Sequence, residues 1–202
     1  MFDWVVSTID SWGYAGVFLL MVAENVFPPI PSEIIMPLAG FLAGRGDLSL
    51  GLTIAAGTLG SVVGTLMWYY IGMAIGEARL KRFAARHGRL LTLTPADIDM
   101  ARDWFDRHGA AAVFAGRMLP TIRTLISVPA GLSRMPFWKF MIYTIMGSAI
   151  WTGMLTLGGL VLHENYALVA DYVDPLSKLV VLTVVGIYVY RVVTWKPTEK
   201  AN

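Results

Sequence analysis

Cysteine is absent from the 202 residues, which excludes disulfides and thiolate-held metal. Charge is scarce as well. Only 15% of residues are charged and 56% are hydrophobic, with a mean hydropathy of +0.60, whereas soluble domains carry about 25% charged residues. That deficit excludes an ordinary soluble domain and makes the bilayer the solvent. Histidine is rare: His87, His108 and His163 lie too far apart to suggest a ligand cluster, so no metal and no other cofactor is expected. The opening Met1, Phe2, Asp3 and Trp4 lack the basic segment of a cleavable leader. The whole chain, 1–202, is therefore read as mature and as a single membrane domain.

Long apolar runs are what the chain does have. A spanning helix needs roughly 20 apolar residues. Residues 50–76 meet this with no charge, residues 140–162 meet it next, and 175–195 form a third run with Lys178 and Arg191 near its ends. Long basic stems at helix ends reach the interface and need no special role.

Two further apolar stretches are interrupted. Residues 14–44 contain Glu24, Pro28, Pro29, Pro31, Glu33 and Pro37, and residues 110–132 contain Arg117, Pro120, Arg123 and Pro129. Proline removes a helical hydrogen bond and clashes with the preceding turn, so both stretches should break near their centres. Freed backbone groups must be buried in protein or face a wet cavity. Both stretches are therefore expected to be re-entrant hairpins, with Pro28, Pro29, Pro31, Pro120 and Pro129 as the breaking residues.

Basic connections stay inside. Residues 77–108 hold seven arginines and lysines between Arg79 and Arg107 and should be cytoplasmic. Residues 163–174 hold Glu164, Asp171 and Asp174 with no basic residue and should face outward. The N-terminus then lies outside and the tail inside. The cytoplasmic connection should be two short amphipathic helices. Thr94 is placed as an N-cap before Pro95, with Asp97 in the first turn, and Gly109 ends the second helix. Its arginines are expected to meet lipid headgroups, not nucleic acid.

Short segments recur in order. Gly13-Tyr-Ala-Gly-Val-Phe18 matches Gly109-Ala-Ala-Ala-Val-Phe114, Pro37-Leu-Ala-Gly40 matches Pro129-Ala-Gly131, and Gly60-Ser61 matches Gly147-Ser148. Each unit, 13–76 and 109–162, would be a hairpin followed by a span. The charge bias gives the two units opposite orientations. The expected fold is therefore all-α, an inverted repeat of two hairpin-plus-span units with a C-terminal span. Such folds place transport sites at the repeat interface near the midplane.

Hairpin one carries Glu24 and Glu33, and hairpin two carries Arg117 and Arg123. A charge at mid-membrane costs about 2.5–3.5 kcal/mol on insertion scales, so these four should be paired, hydrated or functional. A guanidinium is a fork of donors suited to phosphate or carboxylate. Arg117 and Arg123 are expected to bind an anionic phosphate head. Glu24 and Glu33 are expected to take up and release a proton or sodium ion. Ser32, Thr121, Thr124 and Ser127 could add hydroxyl support, or bond back to helix carbonyls.

At these residues the sequence resembles the DedA family, also called the VTT or SNARE-associated Golgi protein family. The matching segments are Glu24-Asn25 with Pro28-Pro29-Ile-Pro31-Ser32-Glu33, Phe114-Ala-Gly-Arg117-Met-Leu-Pro120-Thr-Ile-Arg123, Ser127-Val-Pro129-Ala-Gly131 and Met135-Pro136-Phe137-Trp138-Lys139-Phe140. The resemblance implies facing re-entrant hairpins and lipid translocation. It also implies a protein of the bacterial inner membrane, where the lipid would be undecaprenyl phosphate and its recycling would depend on the proton-motive force; the glutamates leave protons or sodium as the coupling ion of this multi-pass chain. By position Glu24, Glu33, Arg117 and Arg123 match the family's functional charges. Some members have aspartate where this chain has Ser32.

Other readings compatible with the sequence are a phospholipid scramblase, a cation/proton antiporter, and a non-transporting envelope assembly factor. An enzyme such as a lipid phosphatase would need a nucleophile beside a histidine, and neither hairpin holds a histidine. Glycine-rich helix faces also suit a homodimer.

Overall fold

The computed structural model describes residues 2–26, 32–91, 94–119 and 122–161, together with 186, 190 and 192–194. Every regular element among them is helical. The outward connection at 163–174 and most of the expected C-terminal span lie outside the described residues, as do Pro28, Pro29, Pro31, Pro120 and Thr121.

Helix α1 (Phe2–Trp12) precedes the first unit and was not foreseen from sequence. It packs on α2 (Tyr14–Val26) across Gly16, where a Cβ would meet the Thr8 carbonyl oxygen at 2.6 Å. The joint between them is Gly13, at φ +54°, a conformation that suits a residue without a Cβ. Helix α3 (Ser32–Gly44) follows and keeps Pro37 inside it. The Ser49 amide donates to the Tyr14 hydroxyl at 2.7 Å. The start of α2 and the turn after α3 therefore lie at the same end of the molecule.

Helices α4 (Leu50–Ile75) and α8 (Phe137–Val161) are long and apolar enough to cross a membrane. At about 1.5 Å per residue each exceeds the roughly 30 Å hydrocarbon thickness. They run antiparallel: Thr58 meets Thr152 at 2.9 Å, and Ser61 meets Ser148 at 3.3 Å. Both contacts fall near the middle of each helix.

Helix α5 (Glu77–Leu91) and the first part of α6 (Pro95–Arg117) form the expected basic connection. Thr94 and Asp97 make a reciprocal capping box, with Asp97 N to Thr94 Oγ1 at 3.1 Å and Thr94 N to Asp97 Oδ2 at 2.9 Å. Ion pairs link the two helices, Glu77 to Arg102 and Lys81 to Asp99, while Lys81 also pairs with Glu77 one turn away within α5 at 2.7 Å. Gly109, at φ +48°, breaks α6 where the sequence placed its end. Beyond Arg117 the chain makes irregular turns before α7 (Ser127–Leu132). Helix α7 is thus about half the length of α3. Pro129 sits in the first turn of α7, where a missing N–H removes no intrahelical bond; the break lies upstream, after Arg117.

The helices trade partners. Helix α2 packs on α4, and the second part of α6 packs on α8. Helix α3, however, packs chiefly on α8, and α7 on α4. The close contacts recur in matched positions. A Cβ on Gly60 would meet Phe18 and Met21, and one on Gly147 would meet Phe114 and Arg117. A Cβ on Gly40 would strike the Thr156 carbonyl, and one on Gly131 the Tyr69 carbonyl. Gly159 abuts Pro37 as Gly72 abuts Val128. Two apolar clusters fill the ends, one around Ile35, Met36 and Leu20, the other around Tyr69, Phe105 and Phe140.

Candidate functional site

Glu24 lies in the last turn of α2, where the negative end of the helix dipole disfavours a carboxylate. It needs a cation, and the second unit supplies one. Glu24 Oε1 pairs with Arg123 Nη2, with the side chains only 8% and 4% exposed. The expectation that an acid of one unit faces an arginine of the other is met by this pair. Its neighbour Asn25 contacts Ser61 at 3.4 Å, and Ser61 meets Ser148. The pair therefore lies beside the midpoint of both long helices.

Arg117 is 2% exposed. It ends α6, where carbonyl ends favour a cation. Its Nη1 donates to the Arg123 carbonyl, and its Nη2 donates to Ser127 Oγ at 2.9 Å and Thr144 Oγ1 at 3.4 Å. The guanidinium carbon sits 5.8 Å from the Phe140 ring centroid, within the range of a cation–π contact. Its Nε finds no hydrogen-bond partner among the described residues. The two arginines do not form a symmetrical clamp: Arg117 grips the backbone of Arg123, and Arg123 takes the acid.

Glu33 is exposed in the first turn of α3 and makes no ion pair among the described residues. Ser32 is buried and accepts from Trp151 Nε1 at 3.5 Å. Thr124 donates across the units to Asn25 Oδ1 at 3.4 Å, and Ser127 accepts from Arg117. Thr124 thus reaches α2, and Ser127 reaches the end of α6.

Sequence reasoning passed over Asn25, Ser61, Thr144 and Ser148 as site members. A signal for three of them was present. Thr144, Ser148, Thr152 and Thr156 recur every fourth residue on α8, as do Thr53, Gly57, Ser61 and Thr65 on α4, so each set forms one helix face. Some of these hydroxyls bond back to their own helix, as Thr65 does to the Ser61 carbonyl and Thr152 to the Ser148 carbonyl. Among the described residues no three His, Cys, Asp or Glu side chains gather into a metal-binding group.

The VTT domain family matches residues 30–161. The chain is 40% identical over 178 residues to a Lactococcus lactis subsp. cremoris protein named alkaline phosphatase-like protein, covering 88% of this chain and 83% of that one. It is 35% identical over 186 residues to the Staphylococcus aureus protein named undecaprenyl phosphate transporter A, covering 92% of each. Protein DedA of Escherichia coli is 26% identical over 160 residues, 77% of this chain and 71% of that one. No solved structure matches. With the domain spanning most of its length and both long helices fit to cross a bilayer, this chain belongs to the VTT-domain, or DedA, family of membrane proteins.

Proposed function

We propose that this protein is a transporter, not an enzyme, and that it moves a polyprenyl phosphate, undecaprenyl phosphate in bacteria, across the cytoplasmic membrane. The Staphylococcus relative's name supports the cargo. The observation that carries the reading is the buried Glu24–Arg123 pair beside the middle of the two spans. A buried pair that served only as glue would be no better than apolar residues of equal volume, yet breaking one costs about 3–5 kcal/mol. It can open only when another anion takes the guanidinium. A lipid phosphate is such an anion, and its fork-like match to arginine is good.

In this reading Glu24 occupies Arg123 between cycles. The arriving phosphate displaces it, and the freed carboxylate takes a proton or a sodium ion so that no lone charge remains in hydrocarbon. Arg117 holds the Arg123 backbone in place and keeps its Nε donor for the phosphate. Exposed Glu33 is the second acid, where an ion arriving from water is first met.

The architecture we infer is the inverted repeat of two re-entrant hairpins. The Tyr14–Ser49 bond, the antiparallel spans and the matched glycine contacts all support it. The test is a leaflet-resolved assay of undecaprenyl phosphate in proteoliposomes, with and without an imposed pH gradient. Wild type should move the lipid, and Arg123→Ala should abolish movement in a protein that, though its midpoint falls, still unfolds in one cooperative thermal transition. Undiminished transport by Arg123→Ala would refute the reading.

A further inference from the structure

The residue after Glu24 has partners on α2, on α4 and beside Arg123. Asn25 is completely buried. Its Nδ2 donates to Glu24 Oε2 at 2.7 Å and to the Met21 carbonyl at 2.9 Å, which engages both amide hydrogens. Ser61 Oγ on α4 lies 3.4 Å from the same nitrogen. On the other side Asn25 Oδ1 accepts from Thr124 Oγ1 at 3.4 Å, and Thr124 adjoins Arg123 in the chain. The Asn25 carbonyl accepts from Trp68 Nε1 at 2.8 Å.

Its place is set by backbone. A Cβ on Gly64 would lie 2.6 Å from Asn25 Cβ, so α2 and α4 meet there with no room for a longer side chain to adjust. The two carboxylate oxygens of Glu24 are thus divided: Oε1 faces Arg123 and Oε2 faces Asn25. A carboxylate held from two directions has one orientation. Through its contacts with Glu24, Thr124 and Ser61, Asn25 joins the pair to Ser61 and so to Ser148.

We propose that Asn25 is a positioning residue: it holds the Glu24 carboxylate on Arg123 and links the opening of that pair to the contact between α4 and α8. Its bearing on transport rests on the reading above, in which Glu24 competes with a lipid phosphate for Arg123. Its bearing on the pair does not.

Two measurements on the full chain separate the ideas. The first is equilibrium binding of undecaprenyl phosphate to detergent-solubilised protein. A hydrogen bond to a charged group is stronger than one between neutral groups, and a tenfold change in an equilibrium corresponds to about 1.4 kcal/mol. Asn25→Ala loosens the internal competitor, so Kd should fall about tenfold or more. Asn25→Asp keeps the shape but sets a second carboxylate beside the Glu24–Arg123 pair, so Kd should rise. A residue that merely supported the fold would move both variants in the same direction, and that outcome overturns the proposal.

The second needs no lipid. Glu24→Gln and Asn25→Asp are near-isosteric, and together they exchange the acid and the amide between adjacent positions. Each alone should lower the thermal midpoint, and the double variant should recover part of the loss. Additive losses overturn the proposal whatever the lipid data say. Recovery in a protein that binds no lipid phosphate would sustain the Asn25 assignment and sink the transport reading alone.

Discussion

Gly147 offers the sharpest test of the packing behind the site. A Cβ there would lie 2.6 Å from Arg117 Cβ and 3.0 Å from its Cγ, whereas ordinary contact begins at 3.4 Å. Arg117 Cβ is tied to its backbone and cannot swing aside. In Gly147→Ala, α8 and the end of α6 must therefore part by about 0.8 Å, the difference between those distances. Overpacking of this kind costs about 1–3 kcal/mol. For a chain of this length that lowers the thermal midpoint by roughly 2–4 °C per kcal/mol.

The same movement reaches the site. Arg117 Nη2 is 2.9 Å from Ser127 Oγ, and a shift of about 0.8 Å in that direction exceeds hydrogen-bond range. Thermal unfolding of the solubilised protein, followed by tryptophan fluorescence, reads the first effect, and lipid transport in vesicles reads the second. Gly153→Ala is the control, because nothing lies within 4 Å of a Cβ there and alanine is the better helix former by about 1 kcal/mol. Gly60→Ala is the change at the matched position in α4, where the Phe18 carbonyl oxygen lies closer still than Met21 Cβ at 2.9 Å, and should cost at least as much. A midpoint for Gly147→Ala equal to that of Gly153→Ala would refute the close approach of Arg117 to α8.

The remaining expectations concern single charges. Arg117→Lys keeps a charge but lacks the fork that reaches the Arg123 carbonyl, Ser127 and Thr144 together; vesicle transport should drop at least tenfold, and near-wild-type transport would show that the fork is dispensable. Glu24→Gln leaves Arg123 without its acid, so lipid phosphate should bind more tightly but turn over more slowly; unchanged binding in detergent would remove Glu24 as a competitor. Outside the membrane, Lys81 beside Glu77 holds that carboxylate below its ordinary 4.5, and Asp99 raises Lys81 above 10.5. The α5–α6 contact should accordingly be intact through neutral pH, weaken as acid titrates Glu77 below about 4.5, and weaken again in base above 10.5. Because these groups face solvent, added salt should weaken it as well. Limited trypsin digestion at the exposed Arg79, Arg82 and Arg86 against pH and salt reads this, and a flat profile would count against it.

Much of the fold was legible because the bilayer makes sequence patterns blunt. The two long helices, the capping box at Thr94 and the break at Gly109 followed from apolar length, residue type and glycine. The cross-unit acid–arginine contact was legible because charges in apolar stretches have few alternatives. The choice of partner was not. Nothing in the one-dimensional pattern distinguishes Arg123 from Arg117, since the distinction comes from the turn after Arg117, which folds the Arg123 carbonyl back under that guanidinium. Glu33 belongs to the same motif as Glu24 yet stands exposed, because one residue of register in a helix rotates a side chain by about 100°. Helix α1 was missed because Phe2–Trp12 mixes charged, polar and apolar residues at a length too short to span.

The exchange of helix partners gives the proposed repeat its mechanical meaning. Were α3 seated on α4 and α7 on α8, each unit would be a closed body, and a change at Arg123 would stay within the second. Instead α3 rests on α8 and α7 on α4, each through glycine against carbonyl. Such contacts leave no side chain to yield, so a shift of α7 away from Glu24 must move α4, and with it α2 that carries Glu24. Packed interfaces of this kind switch between discrete arrangements and do not bend smoothly. The two sets of contacts are matched position for position, so a displacement favouring one unit has an equivalent favouring the other. Two such arrangements related by the repeat are what a carrier needs to open first to one side and then to the other. In the proposed cycle, the pair between Glu24 and Arg123 is the contact that each arrangement would make and release.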